Sequence, residues 1–343
     1  HGYLARSLFY QRMYTEACEN LEKSLALSPS REERAELLYF LGCCQSCLGR
    51  IEDAIVSLGE AEDSGCQQED IAFQRALLYM ELRRWEQAEH ELAVAAGRFQ
   101  DEGTLRYQTG RLYFLQNKFE LALQETQDSL RHNPDALEAQ IQRAICLSRV
   151  GDADDAVRCF RELLDRHPDL SVIRFELGSI FDQRNETDLA IEQFQLILDS
   201  EPNNVEMQIH LGEAHLKRGD ASLAVQFLEQ ALRSRPSPDS HARLGDAFST
   251  SRKWEQSESS YRRALEMDGH NVRALAGLGT LLMRRGKFEA AIEQLNSAIS
   301  ADPTWSRPYS DLGLVYMQLS QWDEASRSYQ QALELSPRDA DAL

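Results

Sequence analysis

Apolar residues recur along this chain at intervals of three and four, with polar residues between them. That spacing puts the apolar side chains on one face of an α-helix. In WDEASRSYQQALELSP, residues 322–337, Trp322, Ala325, Tyr329 and Ala332 share a stripe, and Pro337 ends the helix. FEAAIEQLNSAISADP (288–303) carries the same pattern 34 residues earlier, and LAIEQFQLILDSEP (189–202) carries it again. The small residue of the stripe recurs at Ala291, Ser257, Ala224, Ala190, Ala156, Ala122, Ala88, Ala54 and Ala17. Counted back from Ala325, the intervals are 34, 34 and 33, then 34 five times, then 37.

A second stripe precedes each of these. YSDLGLVY (309–316), LAGLGTLL (275–282) and RFELGSIF (174–181) place large, Leu, Gly and large residues at positions 4, 7, 8 and 11 of the unit, one face of another helix. Turns such as KRGD (217–220) and RRGK (284–287) join the two into a helical hairpin. A fixed period of this length marks a helical repeat array. The units run at about 1–34, 35–68, 69–102, 103–136, 137–170, 171–204, 205–237, 238–271, 272–305 and 306–339, with 340–343 opening another. The unbroken period predicts a single array over 1–343 in place of the two globular domains that length alone suggests.

The units resemble tetratricopeptide repeats. Leu177, Gly178, Phe181, Ala190, Phe194 and Pro202 match that family's motif in one unit; Leu312, Gly313, Tyr316, Ala325, Tyr329, Ala332 and Pro337 match it in another. The departures are Arg75, Thr109 and Arg143 for the first-helix leucine, His215 for an aromatic and Ser257 for the alanine. The resemblance implies an all-α, right-handed superhelical solenoid of stacked antiparallel helix pairs. A lone hairpin cannot bury its stripe, so neighbours stack and share one elongated core. Gly178 and Ala190 let helix backbones approach, and Phe181 and Phe194 fill the space beside them.

Composition narrows the function. The formal charge is −19, from 56 acidic and 37 basic residues. Such a surface repels phosphate backbones and anionic membranes, so nucleic acid is not the expected partner. No stretch has the apolar length to span a bilayer. The chain starts and stops inside repeats without polar capping units, which reads as a fragment of a longer protein. Seven cysteines, all between Cys18 and Cys159, favour a reducing compartment over a disulfide framework, and hence the cytoplasm. Cys43, Cys44 and Cys47 in CCQSC find no second pair or nearby histidine to complete a metal site and suit buried packing. His210 and His215 are five apart and point to different helix faces; His215 holds a core position. No catalytic constellation, cofactor motif or metal set emerges, so the chain is expected not to be an enzyme by itself.

The expected role is a protein-interaction scaffold. In the family it resembles, first-helix positions 2, 5, 6, 9, 12 and 13 face the concave wall. Position 5 reads Tyr39, Phe73, Tyr107, Ile141, Phe175 and Ile209, then shrinks to Ala242, Ala276 and Ser310. Gln74, Gln108 and Gln142 stand beside three of these at position 6. Rings offer apolar contact at low entropic cost, and primary amides both donate to and accept from a peptide backbone. The same rings also suit stacking between first helices. Further along, Arg243, Arg273, Arg284 and Arg307 put positive charge on an acidic array. They suit a carboxylate or acidic peptide, or ion pairs with neighbouring repeats. A protein or peptide segment held in the groove is thus the expected ligand. The alternatives are the recruiting arm of a larger enzyme, such as a glycosyltransferase, and a periplasmic secretion scaffold.

Overall fold

The computed structural model describes residues 2–27 and 29–337. Regular structure among them is entirely α-helical, in twenty helices. The chain falls into two compact units, His1–Pro168 and Asp169–Leu343, where periodicity alone marks no boundary. The first holds α1 (Gly2–Tyr10), α2 (Tyr14–Ala26), α3 (Arg31–Cys47), α4 (Ile51–Asp63), α5 (Ile71–Glu81), α6 (Trp85–Ala95), α7 (Glu102–Leu115), α8 (Phe119–His132), α9 (Leu137–Val150) and α10 (Ala153–Arg166). The second holds α11 (Ser171–Gln183), α12 (Thr187–Ser200), α13 (Val205–Arg218), α14 (Ala221–Ser234), α15 (Pro238–Thr250), α16 (Trp254–Met267), α17 (Val272–Arg284), α18 (Phe288–Ala301), α19 (Arg307–Gln318) and α20 (Trp322–Leu335). The further unit expected at 340–343 lies outside the described residues.

Helix boundaries follow local chemistry. Ser30 and Glu33 form a reciprocal capping box at the start of α3. Asn204 and Asn271 accept from the backbone N–H of Met207 at 3.1 Å and Ala274 at 2.9 Å to open α13 and α17. Each hairpin turn contains one residue in the left-handed region: Arg12, Gly49, Arg83, Asn117, Gly151, Asn185, Gly219, Arg252, Gly286 and Ser320. These turn residues keep the period of the helices they join.

Within each hairpin the helices meet at the small positions. A Cβ on Gly178 would stand 2.6 Å from the Phe194 ring, so only glycine lets α11 and α12 close at this depth. Successive pairs stack and share a core: Leu58, Ala76, Leu92 and Leu112 in the first unit, Tyr261, Leu281, Leu295 and Val315 in the second. Ser257, the polar exception at the alanine position, is fully buried and donates to the Gly245 carbonyl at 2.9 Å. His215 is 5% exposed, stacked on Phe227 with ring centroids 5.4 Å apart.

Candidate partner-binding surface

First helices touch one another along each unit: α1 on α3, α5 on α7 and α7 on α9; then α13 on α15, α15 on α17 and α17 on α19. Second helices pack chiefly on first helices. Each unit therefore curves with its first helices inside, and their exposed stripe is the inner wall.

In the first unit part of that wall is taken up by its own stacking. Tyr39 is half-buried and its hydroxyl donates to Asp70 Oδ2 at 3.0 Å. Gln74 reaches the same carboxylate at 3.5 Å. Phe73, expected to present its ring, is instead buried: it stacks on Phe99 at 4.5 Å and 7°, and Phe99 comes from the loop after α6. Gln142 is also buried, because its amide donates to Thr126 Oγ1 at 2.9 Å inside the α8–α9 seam. Thr126 is small enough to admit it. Tyr107, Gln108 and Ile141 remain half-buried on the wall, where Gln108 accepts from Arg111 at 3.4 Å. Burial raises the Tyr107 pKa, so the ring presents a neutral hydroxyl. The remaining ring of the position-5 row, Phe175, belongs to the second unit. It is half-buried there against His210 and Phe194, at 5.3 and 6.2 Å.

The second unit carries charge on its inner wall. Arg243 pairs with Glu213 of the preceding repeat and with Asp239 at 2.8 Å. Burial, then the neighbouring Arg273, bring its pKa down to about 10, which leaves it protonated at neutral pH. Arg273 reaches Asp246 at 3.1 Å and Glu213 at 3.5 Å. Arg243 and Arg273 thus each pair with an acid of the preceding repeat. Arg284 and Arg307 are exposed and line a cleft of about 230 Å³ with Asp246, Thr280 and Tyr261. Arg307 sits 3.8 Å from Asp311, whose carboxylate already accepts from Thr280 at 2.7 Å. Arg284 has no ion-pair partner among the described residues.

Tyr261 builds the floor of this cleft and was not legible as a wall residue, because it belongs to the second helix α16. Its ring passes between Gly245 and Gly277, where a Cβ on either would stand 2.5 Å away. The hydroxyl emerges on the inner side and donates to Asp246 Oδ1 at 2.7 Å. Glycine at Gly277, a wall position elsewhere filled by a side chain, was the available signal. Glu213 and Asp246, both at position 9, were the second: a carboxylate there faces the arginine of the next repeat.

A family model described as tetratricopeptide repeat matches residues 73–137, 141–205, 175–240 and 242–304, and one described as TPR repeat matches 313–343. Type IV pilus assembly protein PilF of Pseudomonas aeruginosa is 34% identical over 103 residues, 29% of this chain and 40% of that protein. Hsp70-Hsp90 organizing protein 3 of Arabidopsis thaliana is 22% identical over 99 residues, 29% of this chain and 18% of that one. The chain thus spans two fifths or less of the length of these relatives. A solved repeat protein from Parabacteroides merdae superposes with a TM-score of 0.65 over 70% of this chain and 96% of its own, at 13% identity, a likeness of fold alone.

Proposed function

The chain belongs to the tetratricopeptide repeat family, whose arrays indicate protein–protein interaction scaffolds, and on that premise we propose that it holds an acidic peptide segment of a partner on its inner wall. The observation that carries this reading is the second unit's cleft. Two exposed guanidinium groups, Arg284 and the Arg307 that lies 3.8 Å from Asp311, flank a floor of the Tyr261 and Thr280 hydroxyls. The carboxylate lining it, Asp246, is already taken by Arg273 and Tyr261. A carboxylate entering there meets bidentate donors, with a strength about twice that of neutral hydrogen bonds. The half-buried Tyr107, Gln108 and Ile141 offer a milder, mixed surface in the first unit.

The reading makes the chain a non-catalytic module that assembles other proteins. The relatives' names, one an assembly protein and one an organizing protein, support it. Net charge of −19 disfavours nucleic acid as partner. Seven free thiols suit a reducing compartment, and we place the scaffold in the cytoplasm.

Selecting a random peptide library on the purified chain tests this directly. Recovered sequences are expected to be rich in Asp and Glu, and Arg284→Glu with Arg307→Glu is expected to lose them. Recovery of acidic peptides that the double variant retains, or of no acidic peptides at all, overturns the reading.

A further inference from the structure

A second cleft lies in the first unit, between α6 and α7, away from the inner wall. Its volume is about 400 Å³, toward the lower end of the roughly 300–1,000 Å³ of ligand pockets. Its α7 residues hold none of the groove positions. Three residue choices open it. Thr109 stands where the second unit uses leucine, and Arg106 stands at the preceding large-residue position with its side chain turned toward solvent, 40% exposed. Helix α6 ends early, at Ala95, and Phe99 in the following loop folds back onto Phe73, so that it walls the space without filling it.

The walls and the mouth differ in character. Ala93, Ala96 and Phe99 form the apolar wall, with the buried Leu92 and Leu112 directly beneath it. At the mouth stand three carboxylates, Glu89, Glu102 and Glu125, against one guanidinium. Arg106 is shared between Glu125 at 3.1 Å and Glu102 at 3.5 Å. Glu89 receives a hydrogen bond from the Tyr113 hydroxyl at 3.3 Å and has no cationic partner among the described residues. An apolar slot with an acidic mouth selects a long aliphatic stem that ends in a cation. We infer that this cleft takes an arginine side chain of a partner protein, its methylenes against Ala93, Ala96 and Phe99 and its guanidinium between Glu89 and Glu125. Arginine suits the mouth better than lysine, because its planar fork can pair two carboxylates at once. The site is distinct from the acidic-peptide cleft in unit, chemistry and charge, so either can fail alone.

Methyl-resolved NMR of the whole chain, with Thr109, Leu92 and Leu112 as reporters, provides the test. The probe is N-acetyl-arginine methylamide, with N-acetyl-norleucine methylamide as its uncharged counterpart and agmatine as a free cation without a peptide frame. The arginine probe is expected to shift these methyls saturably. Glu89→Gln and Glu125→Gln should each weaken it about threefold, the scale of an exposed charge pair. Thr109→Leu should abolish the shifts while leaving the chain folded. Stronger binding of agmatine than of the arginine probe overturns assignment to a partner side chain. Equal shifts from the norleucine probe, no saturable shift, or shifts that survive Thr109→Leu overturn the site.

Discussion

The two units solve the same packing problem with opposite placements of polarity. At position 7 of the first helix, three consecutive repeats of the first unit carry Arg75, Thr109 and Arg143, whereas the second carries Leu177, Leu211, Leu244, Leu278 and Leu312, all buried. Arg75 is held in the seam by Glu62 at 2.9 Å and Glu91 at 2.7 Å. Arg143 reaches Cys159 Sγ at 3.5 Å, and its buried Nε has no partner among the described residues. On the inner wall the pattern reverses: rings and amides in the first unit, paired charges in the second. Both units share the hairpin turn, with one left-handed residue between the two helices of each repeat. Position 7 decides only how well the seam between repeats closes.

The sharpest way to break this contrast is to exchange the residue. Leu211→Thr removes a fully buried leucine and buries a hydroxyl, and should cost the second unit about 3 kcal/mol. Thr109→Leu, the reverse change in the first unit, should gain about 1 kcal/mol by covering apolar wall. Urea unfolding with amide exchange read separately over α7–α8 and α13–α14 checks both. A loss at Leu211 below that of an exposed site would mean that the leucine row is not what closes the second unit.

Next in size is the polar seam itself. Glu91→Ala leaves Arg75 facing one carboxylate instead of two and should cost about 2 kcal/mol, less than for a fully buried pair because Arg75 is 19% exposed. Its pH behaviour has a defined sign. Burial raises the Glu91 pKa above its ordinary 4.5, and the nearby Arg75 offsets part of that rise. The folded state therefore binds this proton more tightly than the unfolded chain. Relative to Glu91→Gln, wild-type stability should fall as pH climbs from about 4.5 through the folded-state value, then level off. A difference that grows in the other direction would mean that Arg75, not burial, dominates. In the second unit, Arg273→Ala breaks two half-exposed contacts and should cost about 0.5–1 kcal/mol, a loss that shrinks in high salt.

The fold was legible almost throughout, since both helices of every unit announce themselves by the same spaced residues. The wall was legible only in part, and for physical reasons. Phe73 left the surface because its partner, Phe99, sits in an irregular loop that no periodicity marks. Gln142 left it because Thr126, on the preceding helix α8, opened room inside the seam. Arg243 and Arg273 were visible, but their acids, Glu213 and Asp246, each sit one repeat earlier, and only the stacking of repeats shows which pair forms. Thr109 stood out as a departure; the cleft it helps to open also needed the early end of α6.

The smallest test asks whether the units are alike where no side chain intrudes. Arg83 in the first and Arg252 in the second occupy the same place in the hairpin turn, and both have φ of 56°. Both are exposed, and the equivalent turns after α3, α9, α13 and α17 use glycine. An L-residue with a side chain is held there against about 1–2 kcal/mol of steric preference. Glycine removes that strain but costs entropy from the unfolded chain, so Arg83→Gly and Arg252→Gly should each stabilise by only about 0.5 kcal/mol. Because the turn geometry is shared, the two gains should agree within the error of a urea midpoint. A gain in one unit and a loss in the other would locate the difference between the units in the turns as well as at position 7.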